Sequence, residues 1–163
     1  MDRPILVHRT YRFRIYPTRR QRFALEAQLG FACDLYNAAL EQRRYARRAG
    51  RRIDYVTQCR DLTALRAAGD GPPGMSCSAM RNPLRRVERA YQGFFRRIKV
   101  GEKPGYPRFR SRRRYDSLTS DSGWSIRERR LALLGIGHLK VKWHRDLPTS
   151  AKVCTVRIFS FEG

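Results

Sequence analysis

Between residues 10 and 21 the chain reads TYRFRIYPTRRQ, and its period changes. Tyr11, Phe13 and Ile15 alternate with Arg12, Arg14 and Tyr16, which is the pattern of a strand with one apolar and one basic face. Pro17 cannot donate to a ladder and ends it. Thr18, followed three residues later by Gln21, has the form of a capping box, so a helix is expected from there to about Leu29, with Gly30 interrupting it. A second helix is expected over FACDLYNAALEQRRYARRAG, with Phe31, Leu35, Ala38 and Ala39 on its apolar side and Gly50 as its stop. Asp54 caps a third, whose apolar positions are Cys59, Leu62 and Leu65 and which ends at Gly69. GDGPPGMSC reads as a loop. Asn82-Pro83 then reads as N-cap and first helical residue of a fourth helix, PLRRVERAYQGFFRRIKV, with the stripe Leu84, Val87, Tyr91, Phe94, Phe95 and Ile98.

From Ser117 onward the period returns to two. SLTS, WSIRE, LALLG, HLKVKWH and KVCTVRIF are candidate strands. In HLKVKWH, Leu139, Val141 and Trp143 alternate with Lys140, Lys142 and His144, repeating the two-faced device of the first strand. The expected fold is α+β: a first strand (5–17), an inserted helical block (18–99), then the remaining strands (100–163). The first strand is expected to join the later ones in one small barrel or sheet, with the helices looped out.

Charge changes the picture most. The 163 residues carry 36 Lys+Arg against 14 Asp+Glu, a formal +22, and their 41% apolar content is enough for a core. A domain this cationic repels itself unless a polyanion neutralises it, and nucleic acid is the default partner. The longest apolar run, LALLGIG, is too short for a bilayer, and MDRPILVHRT has no secretory apolar region, so no membrane partner is expected. Cys33, Cys59, Cys77 and Cys154 form no C-x-x-C pair, which argues against a zinc site and for reduced thiols in a cytoplasmic, nucleoid-associated protein.

Two clusters carry the candidate chemistry. Arg43, Arg44, Arg47 and Arg48 stack at i, i+4 near a helix end, Arg51 and Arg52 follow, and no acid interrupts residues 42 to 52. One or two cations would satisfy a helix dipole; six point to a phosphate-facing surface. Residues 96–114, RRIKVGEKPGYPRFRSRRR, hold nine basic residues and one acid. There Arg108, Arg110, Arg112, Arg113 and Arg114 supply phosphate contacts, while Tyr106 and Phe109 can stack on bases or anchor the loop. With Arg12, Arg14 and Tyr16 these form the expected nucleic-acid surface.

The motifs YRFRIYPTRRQ, GFACDLYNAAL, AYQGFFRR, GYPRFRSRRR and LLGIGHLKVKWHR, in that order and spacing, resemble the N-terminal half of the TnpB (OrfB) proteins of insertion sequences, from about Thr10 to Ile158. The resemblance implies an RNA-guided DNA endonuclease family. Its N-terminal half is a wedge-type β-barrel with an inserted, helix-turn-helix-like recognition lobe, which holds guide RNA and target DNA while base pairing supplies sequence specificity. It implies that Tyr55 and Thr119 lie at the target-adjacent motif. Two positions depart from the family pattern: Arg81, beside Asn82, stands where a glutamine can occur, and Cys77 where a lysine can. Arginine reads guanine and glutamine reads adenine, so a changed or lost motif preference is expected. The family's nuclease uses spaced acids and a four-cysteine zinc ribbon, and neither pattern is seen before Phe161-Glu162-Gly163. The expectation is a chain with no catalytic residues, metal or cofactor, which binds guide-like RNA and DNA and relies on a partner chain for any nuclease domain. The alternative is a helix-turn-helix transcriptional regulator that binds a duplex operator without RNA.

Overall fold

The computed structural model describes residues 8–148 and 152–159. The outermost parts of the expected first and last strand regions, residues 5–7 and 160–163, lie outside these. The opening alternation holds: Tyr11, Phe13 and Ile15 are half-buried while Arg12, Arg14 and Tyr16 are exposed. The paired strand is shorter than its pattern, with β1 covering Arg14–Tyr16. Before it, Phe13 rests on Trp143 and His144, with ring centroids 4.7 and 5.1 Å away.

The capping box forms in both directions. The Gln21 amide donates to Thr18 Oγ1 at 3.3 Å, and the Thr18 amide donates to Gln21 Oε1 at 3.0 Å. The helix it starts, α1 (Arg19–Arg48), runs 30 residues without a break, so Gly30 does not divide it. Two separate cores explain this. Ala24 and Leu25 in the first half of α1 pack on Leu131, Leu133, Ile136 and Leu139 of the sheet region. Ala32, Cys33, Tyr36, Ala39 and Leu40 in the second half join the helical core. Packing on both sides of Gly30 outweighs the ~1 kcal/mol propensity cost of one helical glycine. The buried stripe is also rotated from the expected one: Ala38 is exposed, and Arg43 and Ala46 are buried. The helix stops as expected. Gly50 takes φ +67°, its amide bonds to the Arg47 carbonyl and that of Arg51 to the Ala46 carbonyl, a Schellman closure.

The next helix, α2 (Tyr55–Ala67), is capped by Asp54, which accepts from the Thr57 amide at 2.9 Å. It buries Leu62 and Gln58 and half-buries Cys59 and Leu65. The third, α3 (Cys77–Lys99), begins at an N-cap supplied by Ser76, six residues before the expected Asn82. Pro83 therefore sits inside the helix and Asn82 is no cap. The reason is tertiary: Ser76 Oγ lies 2.8 Å from Ser120 Oγ, and Ser78 Oγ 2.9 Å from the same atom. Ser78 Oγ also accepts from the Asp121 and Ser122 amides, which fastens the first turn of α3 to the far end of a strand. Pro83 itself is fully buried, and this burial offsets the hydrogen bond its ring removes.

All five later strands form: β2 (Ser117–Ser120), β3 (Trp124–Arg127), β4 (Arg130–Leu133), β5 (Gly137–Lys142) and β6 (Val156–Phe159). β1 returns to pair with β5 across the helical block, giving a four-stranded antiparallel sheet of order β1-β5-β4-β3. β2 and β6 pair separately. The fold is α+β, and among the described residues the strands make these two sheets without a closed barrel. A two-residue turn, Glu128 (φ 48°) and Arg129 (φ 58°), joins β3 to β4; the left-handed conformation of both residues matches the turn to the right-handed twist of the flanking strands.

Candidate nucleic-acid interface

The arginines at the end of α1 and just beyond it divide into two groups. Arg43 turns inward: its Nε donates to Gln58 Oε1 at 2.9 Å, its Nη2 lies 2.6 Å from Glu88 Oε2, and its guanidinium covers Tyr91. The acid missing from residues 42 to 52 arrives from α3. Arg44 is half-buried between Tyr106 and Phe109 and donates to the Pro107 carbonyl at 2.9 Å. Arg47, Arg48, Arg51 and Arg52 are exposed, and none forms an ion pair among the described residues.

The basic segment after α3 has little regular structure beyond one 3₁₀ turn at Arg112–Arg114, yet it is fastened along α1. Asn37 makes a reciprocal pair with Arg110, accepting from its amide at 2.9 Å and donating to its carbonyl at 2.8 Å. Tyr36 donates to the Arg108 carbonyl at 3.3 Å, and Cys33 to that of Arg110. Burial pushes the Cys33 thiol up, so it stays protonated and can donate. Asp34 takes Arg112 at 2.8 Å. One face of α1 thus holds the loop backbone and leaves Arg108, Arg113 and Arg114 exposed without ion pairs among the described residues. Tyr106 points inward, its hydroxyl 2.9 Å from that of Tyr91; burial raises the Tyr91 pKa.

The two positions that the resemblance assigns to the target-adjacent motif lie against one stretch of α3. Arg85 Nε donates to the Tyr55 hydroxyl at 3.2 Å, and Arg85 Nη1 pairs with Asp121 at 2.7 Å. Arg86 reaches Thr119 Oγ1 at 3.3 Å, the Ser117 carbonyl at 2.9 Å and Asn82 Oδ1 at 3.1 Å. Asn82 is therefore committed to a structural contact. Arg86 lies over Tyr115, and burial lowers its pKa. Cys77, Arg81 and Arg85 follow one another at helical i, i+4 spacing along α3, and Arg81 is exposed.

The outer face of the four-stranded sheet joins the expected Arg14 and Tyr16 to Arg127, Arg130, Lys140 and Lys142, which were not expected at the site. Tyr16 pairs across with Lys140, Lys140 with Arg130, and Arg130 with Arg127, a single row over all four strands. Arg14 pairs with Lys142 on the same face. All are exposed, and none of the four strands contains an acid. Opposed like charges destabilise a sheet, so this row is costly without a counter-charge. The alternation in HLKVKWH was the available signal for Lys140 and Lys142; Arg127 and Arg130 needed the register. Arg12 lies over the Phe159 ring at 5.8 Å. Among the described residues no helix is long and apolar enough to cross a membrane, and no group of three or more His, Cys, Asp or Glu could hold a metal ion.

Two likenesses to known proteins bear on this surface. Residues 1–52, the stretch that includes β1 and α1, match the helix-turn-helix domain of the OrfB IS605 family. A Streptomyces pristinaespiralis protein that bears the provisional name RNA-guided DNA endonuclease is 29% identical over 158 residues, which is 93% of this chain and 38% of the relative. The chain therefore spans well under half the length of that relative. Together the two matches bear out the resemblance to the TnpB (OrfB) proteins, with the helix-turn-helix match in the first third of the chain.

Proposed function

We propose that this chain is a nucleic-acid-binding module of the TnpB type, which holds guide-like RNA and target DNA and contributes binding rather than cleavage. The observation that supports the reading is a set of exposed cations that form no ion pair among the described residues. They are Arg47 and Arg48 at the end of α1, Arg51 and Arg52 in the connection to α2, Arg108, Arg113 and Arg114 on the fastened loop, and the row on the sheet. Fixed guanidinium groups suit phosphates because their fork is preorganised. The relative's name supports RNA and DNA as the two partners. Tyr55 and Arg81 are proposed to face the motif beside the target, with Arg81 reading guanine. Cleavage then belongs to a nuclease domain supplied in addition to these residues.

The test is to purify the chain, measure the RNA it carries, and titrate RNA and DNA at several salt concentrations. If about six phosphates are neutralised, log affinity falls with log salt at a slope of about −5. RNase treatment should weaken the capture of target DNA. A flat salt dependence, or tight operator binding indifferent to RNase, would reject the reading; the second outcome would favour a duplex-binding regulator.

A further inference from the structure

Tyr106 and Phe109 stand three residues apart in the same fastened loop, yet their surroundings are opposite. Tyr106 is packed edge-on against Tyr91 and Phe94, with centroids 5.7 and 5.2 Å away, and its hydroxyl meets that of Tyr91. It is an anchor. Phe109 has the Arg44 guanidinium 4.6 Å from its ring centroid and is still 48% exposed.

Phe109 is also held out. The carbonyls of its neighbours Arg108 and Arg110 are bonded to Tyr36 and Asn37, and the Arg110 amide to Asn37, so the backbone on both sides is fixed to α1. Arg44 is fixed in turn by the Pro107 carbonyl. These bonds fix the backbone from which the Phe109 side chain leaves the loop, and its ring lies against Arg44. An exposed aromatic ring on a fastened backbone, backed by a cation and flanked by Arg108, Arg113 and Arg114, which form no ion pair among the described residues, matches what a nucleotide needs: a stacking surface with phosphate donors beside it. In a duplex the base faces are already stacked, so only an unpaired base can use it.

We infer that Phe109 is a stacking platform for an unpaired base of single-stranded nucleic acid, with the neighbouring arginines gripping the backbone. The inference rests on the nucleic-acid reading above and deepens it. It is tested by measuring the binding of a short oligothymidine and of a same-length abasic strand, whose phosphates are equal in number. The proteins compared are wild type, Phe109→Ala and Phe109→Trp. Phe109→Ala should lose about tenfold in affinity for oligothymidine, with little change for the abasic strand. Phe109→Trp should keep the affinity, and its added fluorescence should be quenched by oligothymidine but not by the abasic strand. If Phe109→Ala binds both strands as wild type does, the platform is overturned and the phosphate surface stands. If Phe109→Ala weakens both strands equally, the ring acts only by supporting Arg44 and the platform is likewise rejected. If wild type binds neither strand at low salt, the nucleic-acid reading itself fails.

Discussion

Arg43 and Glu88 meet at 2.6 Å between α1 and α3, and this contact makes core structure out of one member of an arginine cluster that reads as uniform surface. The Arg43 side chain is 8% exposed and that of Glu88 30%. Its helical neighbours Arg47 and Arg48, one turn further on, stay in water.

Removing one member of this pair leaves a charge with little solvent. Arg43→Ala should cost about 3 kcal/mol of stability in urea denaturation. Arg47→Ala and Arg48→Ala should leave the melting temperature nearly unchanged, and each should reduce the salt slope of RNA binding by about one unit. Equal effects of all three substitutions on binding would place Arg43 on the interface after all.

The sheet row makes an opposed prediction for stability and binding. Lys140 lies between Arg130 and Tyr16, so Lys140→Glu replaces a like-charge contact with an opposite one. Thermal denaturation should show a gain of about 0.2–1 kcal/mol, while RNA affinity at low salt falls. A variant that is destabilised, or that binds undiminished, would show that the row is not a phosphate surface.

Tyr115 sets an alkaline limit. Burial pushes its pKa up from 10.0 to about 12, with the Arg86 guanidinium above the ring opposing the shift. A phenol whose folded pKa is raised contributes stability that is complete below its unfolded value and is lost as pH climbs through the folded one. Stability should therefore decline between about pH 10 and 12. Tyr115→Phe should flatten part of that decline in pH-dependent denaturation; Cys33, Tyr91 and Tyr55, also raised by burial, contribute to the remainder. An unchanged alkaline limb in Tyr115→Phe would reject this assignment.

Much of the fold was legible because its signals are local. The capping box at Thr18 and Gln21, the Asp54 cap and the Gly50 stop each involve residues within a few positions of one another, and each forms as read. The five later strands were legible from alternation. Two readings failed where distant contacts overrode a local rule. Gly30 reads as a break, but cores on both sides of it hold α1 together. Asn82-Pro83 reads as a helix start, but Ser76 bonds to Ser120 at the end of β2 and Ser78 to the loop after it, and α3 begins earlier. The candidate surface was half legible, since the sequence shows how many arginines there are but not which of them find acids.

By itself the sequence determined the excess positive charge, the order of strand, helices and strands, and the two-faced strands, because composition and periodicity are properties of the chain alone. Only the tertiary structure decided that Arg43 is core while Arg47 and Arg48 are exposed and form no ion pair among the described residues, that four strands align Arg127, Arg130, Lys140 and Tyr16 in one row, and that Tyr106 anchors while Phe109 stands exposed. The physical reason is that a charge or a ring acquires its role from the partner facing it, and these partners lie tens of residues away along the chain.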